Sequence, residues 1–178
     1  MNKYLLIAVT IIASSVQADE GIKRCQNEGK SFYECKQEFE ARFIKGIDDL
    51  IIRDGKTLTL KPLEKHNPDK VLVDGDLQYT VKAHFPEPQI SLISVTGWEY
   101  FNAYAYHHKY GTYIEVFDEI RFSEDGKYLL AFGDDIEAGF TPNAVAVYKL
   151  GHWPELLVHF QNMNFGVSDA NFSSSGEA

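Results

Sequence analysis

Cysteine is scarce, with Cys25 and Cys35 the only two among 178 residues. A thiol-built zinc centre would need two further ligands, and the nearest histidine, His66, lies far along the chain. Positive charge is also in short supply. Seventeen Lys and Arg face 26 Asp and Glu, a formal charge of −9, and no cluster of basic residues stands out. Nucleic acid and anionic lipid are therefore poor partners, because both reward basic stripes through counterion release. Long apolar runs are missing after the N-terminus, so no later segment is apolar enough to span a bilayer. Chemical signatures are missing too. The chain has no Gly-x-Ser-x-Gly elbow, glycine-rich phosphate loop, His-x-His, His-Glu-x-x-His or Asp-x-Asp-x-Asp-Gly loop. The reading is accordingly of a protein with no cofactor, no metal and no catalytic residues.

What is present begins with an export signal. Lys3 gives a positive start, Tyr4 to Ala13 is almost wholly apolar, and Val16-Gln17-Ala18 offers small residues for cleavage. Residues 1–18 are read as a signal peptide and Asp19 as the mature start, placing the protein in the periplasm or outside the cell, with no stable membrane insertion. Oxidising surroundings favour a Cys25–Cys35 disulfide, worth about 2 to 3 kcal/mol for so short a loop in the chain-entropy model.

Residues 19–46 read as a disulfide-tied helical segment. Ser31 and Glu34 form a capping box, Phe32, Cys35, Phe39 and Phe43 recur at helical spacing, and Gly46 stops the helix. Lys36, Gln37, Glu40 and Arg42 on the opposite side read as a solvated face. Residues 47–178 read as an antiparallel β domain. Asp54-Gly55 sets a hairpin between Leu50-Ile52 and Leu58-Leu60, and Asp74-Gly75 suggests another between Val71-Val73 and Leu77-Ala83. Pro86-Glu87-Pro88 reads as a rigid connector. Strands are expected over 90–95, 99–106, 112–117, 128–133 and 144–150.

One segment carries a resemblance. Asp118-Glu119-Ile120-Arg121-Phe122-Ser123-Glu124-Asp125-Gly126-Lys127-Tyr128-Leu129 resembles the blade motif of TolB-like and WD40-type β-propellers, where Phe-Ser ends one strand and Gly-Lys-Tyr-Leu opens the next. The Asp-x-x-Phe-Ser-x-x-Gly skeleton returns at Asp169, Phe172, Ser173 and Gly176, and Asp54-Gly55-Lys56-Thr57-Leu58 reads as a degraded third copy. The resemblance, running from Leu92 to the C-terminus, implies blade-like repeats in a chain too short to close a ring. The expected fold is mainly β: antiparallel sheets in a partial propeller or a sandwich, with the N-terminal helix covering an edge.

Candidate binding residues come from an aromatic strand and an acidic loop. Trp98, Tyr100, Tyr104, Tyr106 and Tyr110 share one strand parity, opposite Phe101, Ala103 and Ala105. Trp98 and Tyr100 are expected in the core, whereas Tyr104, Tyr106 and Tyr110 are candidates for stacking on a sugar or anchoring a protein. His107 and His108 point to opposite faces, cannot chelate together, and read as neutral surface or interface groups. Asp74 with Asp76 and Asp118 with Glu119 read as turn vocabulary. Asp134, Asp135 and Glu137, in the loop between two good strands, are the choice for contacting a basic partner.

These observations lead to the expectation of a non-catalytic periplasmic binding protein, of the type that inhibits or confers immunity to a basic cell-wall-acting enzyme. The alternative is a carbohydrate-binding or carbohydrate-active protein using the tyrosine face. A homo-oligomer paired through an open β edge is a third expectation.

Overall fold

The computed structural model describes residues 22–64, 66–117, 119–133, 143–161, 167 and 169–173. The signal-peptide assignment therefore lies outside the described residues, as do Asp118, Asp134, Asp135 and Glu137. Among the described residues, helical residues 22–27 (α1) and the helix Phe32–Ile44 (α2) precede eleven strands in three separate antiparallel sheets. Sheet A is β1 (Ile51–Asp54), β2 (Thr57–Leu60) and β3 (Lys70–Val73). Sheet B is β4 (Gln78–Phe85), β5 (Ile90–Gly97), β6 (Tyr100–His107) and β7 (Thr112–Val116). Sheet C is β8 (Glu119–Phe122), β9 (Tyr128–Gly133), β10 (Ala144–Lys149) and β11 (Glu155–Gln161). The mainly β, antiparallel expectation holds.

Sheet B is the middle layer. On one side Val81, Ile93 and Tyr106 pack with Ile51, Leu58 and Leu60 of sheet A; on the other Ala83, Leu92, Ala103 and Ala105 pack with Ile120, Leu129 and Ala131 of sheet C. Burial on both faces explains why Ile90, Leu92, Ile93 and Val95 of β5 are all buried without strict alternation, and each fully buried Ile there contributes about 1.5 to 3 kcal/mol. The β6 alternation has a mechanical purpose as well. Small Ala103 and Ala105 pack toward sheet C, while Tyr106, with Tyr104 beside it, packs toward sheet A.

The local signals account for the elements. Ser31 Oγ accepts from Glu34 N while the Glu34 carboxylate accepts from Ser31 N, closing the capping box, and the Cys25–Cys35 disulfide joins α1 to α2. Gly55, at φ 52°, turns β1 into β2 with Asp54 opposite Thr57.

The propeller resemblance fails. The three sheets are separate and none is closed. Its first motif is a β8–β9 hairpin held by turn chemistry, with Ser123 Oγ accepting from Tyr128 N and Asp125 accepting from Lys127 N. The described part of the second copy, residues 169–173, contains no strand. Instead Ala170 and Phe172, with Val167, pack against Leu130, Phe132 and Val147 on the outer face of sheet C. Phe172 there packs on an apolar face.

Asp74-Gly75 is not a hairpin either. β3 pairs with β2 and β4 pairs with β5, so the dipeptide carries the chain from sheet A to sheet B. A strand the sequence did not announce, β11, completes sheet C.

Candidate functional site

Three regions concentrate unusual chemistry around sheet B, and a fourth lies at the far edge of sheet C. The first overturns the solvated-face reading of the helix. Lys36 and Glu40 are fully buried, as is the Asp74 side chain, because they meet Arg53 of β1. Lys36 Nζ lies 2.7 Å from Asp74 Oδ2, Arg53 Nη1 lies 3.1 Å from the same oxygen, and Arg53 grips Glu40 through Nε and Nη2 at 2.7 and 2.8 Å. Two cations and two carboxylates cancel. The remaining oxygens are also used, since Asp74 Oδ1 accepts from Tyr79 N and Glu40 Oε1 accepts from Val81 N. Those amides lie on the side of β4 with no strand partner, so α2 and its charges seal that edge, as expected of the helix. Burial holds Lys36 below its usual pKa, opposed by its bond to Asp74.

Behind the other end of sheet B the histidines are buried rather than superficial. His108 Nδ1 is 2.9 Å from the Lys61 carbonyl, and a carbonyl only accepts, so the proton sits on Nδ1. Nε2 then accepts from Ser91 Oγ at 2.8 Å, leaving Ser91 to accept from His84 Nδ1 at 2.9 Å. This chain resembles an activated hydroxyl. Ser91 and His108 are both fully buried, however, so the arrangement ties sheet B to the segment leaving sheet A and presents no nucleophile to solvent. Among the described residues His107 Nδ1 has no hydrogen-bond partner, nor does Thr112 Oγ1 on the residue paired with it. Burial pushes His107 and His108 down to about 4 each.

The structure divides the predicted tyrosine set. Trp98 is 90% exposed in the turn before β6, and Tyr100 is exposed at its start, so neither joins the core. Tyr110 lies beyond the strand's end, its ring 4.7 Å from His107 and 5.3 Å from His152. Tyr104 and Tyr106 do come together. With Tyr79, Tyr113, Leu60, Leu72, Ile93 and Lys70 they line a cleft of about 120 Å³ between sheets A and B. Tyr106 is buried and donates to the Leu60 carbonyl at 3.3 Å, and burial raises both Tyr104 and Tyr106 to about 12. Tyr113, absent from the sequence prediction, is the cross-strand neighbour of Tyr106 and packs edge-on to Tyr104 at 5.3 Å.

The fourth region is β11. Every residue of this edge strand is exposed, including Leu156, Leu157, Val158 and Phe160, with Trp153 just before it. Val158 and Phe160 face Val147 and Val145 in register and extend the apolar outer face of sheet C that Phe172 partly covers.

No family model, curated protein or solved structure matches this chain. Its chemistry is thus read from the geometry alone. Among the described residues no group of three or more His, Cys, Asp or Glu could hold a metal, and no helix is long and apolar enough to cross a membrane.

Proposed function

We propose that this chain is an exported, non-catalytic binding protein that docks a second, basic protein along β11. The observation that carries the reading is an edge strand with exposed apolar side chains and, among the described residues, no strand paired along its outer side. Such an edge invites an added strand, and Trp153 and Phe160, 79% and 61% exposed, supply large apolar area for anchoring it. The formal charge of −9 favours a basic partner and speeds its encounter. Gly133 and Ala144, which flank the acidic loop of Asp134, Asp135 and Glu137, pair at the same end of sheet C as Gln161. An inhibitor of, or immunity protein against, a basic cell-wall-acting enzyme is the role this chemistry suits, and the Cys25–Cys35 disulfide is compatible with export.

The test is capture from an exported fraction of the source cells, with the Val158→Lys, Phe160→Lys double variant alongside. A basic protein should be retained by the wild type, released progressively by salt, and lost by the variant. Retention that ignores salt, or that survives the double substitution, contradicts the reading. A mass measurement in solution separates the rival occupant: a dimer abolished by the same substitutions would make the partner a second copy.

A further inference from the structure

We infer that the cleft between sheets A and B is a binding site for a small ring-bearing monocarboxylate. Its origin is a mismatch in size. The strands of sheet A have four residues, whereas β4, β5 and β6 have eight, so sheet A cannot cover the middle layer and leaves Tyr104 and Tyr113 at an open margin beside β3. The floor is apolar, formed by Leu60, Ile93 and the ring of Tyr106, and the walls are aromatic. A cleft of about 120 Å³ is close to the ~150 Å³ that accommodates a benzene-sized ring in a protein interior.

Lys70 decides the charge of the occupant. Its ammonium lies 4.8 Å from the Tyr113 ring centroid and has no carboxylate in ion-pairing range among the described residues. In a chain of net charge −9, an unpaired cation over an aromatic wall is positioned to receive an anion while the ring of that anion packs on tyrosine. Two nearby carboxylates limit how much negative charge the site accepts. Glu115, which accepts from Asn102, acts electrostatically on Tyr104, and Asp69 acts on Tyr106, so a doubly charged anion is disfavoured more than a singly charged one. Tyr104 and Tyr106, both raised to about 12, keep their protons at neutral pH, and Tyr106 donates its own to the Leu60 carbonyl.

This site is separate from β11 and stands or falls independently of the protein partner. The experiment is a titration of the purified protein with sodium benzoate and sodium glucuronate, and with phenol, glucose and inorganic phosphate, followed by NMR at Leu72, Tyr104 and Tyr113. At least one carboxylate should saturate with shifts confined to the cleft, and its uncharged counterpart should bind at least about tenfold more weakly. Lys70→Gln should remove that preference at an unchanged unfolding midpoint, and Tyr113→Ala should weaken the ring contact. Tighter benzoate assigns an aromatic acid, and tighter glucuronate a sugar acid. The inference is overturned if no carboxylate saturates, if phenol, glucose or phosphate binds as well, or if Lys70→Gln leaves the affinity intact.

Discussion

β4 and β11 are both terminal strands, and each leaves backbone groups with no neighbouring strand. At β4 the amides of Tyr79 and Val81 donate to the buried carboxylates of Asp74 and Glu40, which Lys36 and Arg53 neutralise. At β11 no described element covers the outer side, and apolar side chains stand exposed beside the strand. Closing an edge with charge is demanding, because four ions leave water and every oxygen must then find a donor. The same chain that meets this demand at one edge leaves the other open. The proposed docking along β11 rests on that contrast.

The closed edge can be broken most severely at Arg53. Arg53→Met keeps much of the volume but leaves Glu40 and Asp74 sharing only Lys36, and removing one member of a buried ion network costs about 3 to 5 kcal/mol. Urea unfolding should show a loss of that order. A loss below about 1 kcal/mol would mean that the charges reach water, and the contrast with β11 would lose its basis.

Acid should weaken the closed side next. His107 and His108 titrate near 4 in the folded chain and near 6.5 when unfolded, so between these values the unfolded state binds more protons. Their contribution is full above pH 6.5 and is lost as pH falls toward 4. Charging His108 would put a second N–H against Ser91 Oγ, reversing a chain whose direction the Lys61 carbonyl fixes. The groups around the pair, His84, Asp49 and Lys109, oppose one another in sign. Each ring taken alone would lose on the order of 3 kcal/mol by pH 4, and the two adjacent imidazoles do not charge independently. Unfolding midpoints at pH 7 and pH 4 measure it, and His107→Gln should flatten the difference; an equal midpoint at both values would show that these rings are solvated.

How much of this was legible in the sequence follows from the range of each interaction. The α2 capping box spans three residues and the β1–β2 turn two, so their signals are local and the elements form where expected. Lys36 and Glu40 carried the opposite signal, since helical periodicity assigns charged residues to water, and their partners Arg53 and Asp74 are 13 to 38 positions away. Strand parity placed Tyr104 and Tyr106 on one face but could not show that the strand ends at His107, short of Tyr110. β11 escaped notice because Leu156-Leu157-Val158 does not alternate. Its register shifts against β10 between Val147 and Tyr148, a bulge that breaks period two.

The open edge should yield the smallest effect on stability, and that is its most informative property. Val158→Lys with Phe160→Lys replaces apolar side chains that remain 40% and 61% exposed in the fold, so little contact is lost, and long lysine stems can lie along the residual apolar surface while their ammonium groups reach water. The unfolding free energy should change by less than about 0.5 kcal/mol, as for ordinary surface substitutions. A much larger loss would show that Val158 and Phe160 belong to the packed face formed by Leu130, Phe132 and Phe172, making β11 part of the core. Stability nearly unchanged, alongside partner capture abolished by the same two substitutions, would separate folding from recognition. The edge sealed by Arg53 would then serve the fold, and the edge left bare at Phe160 would serve the complex.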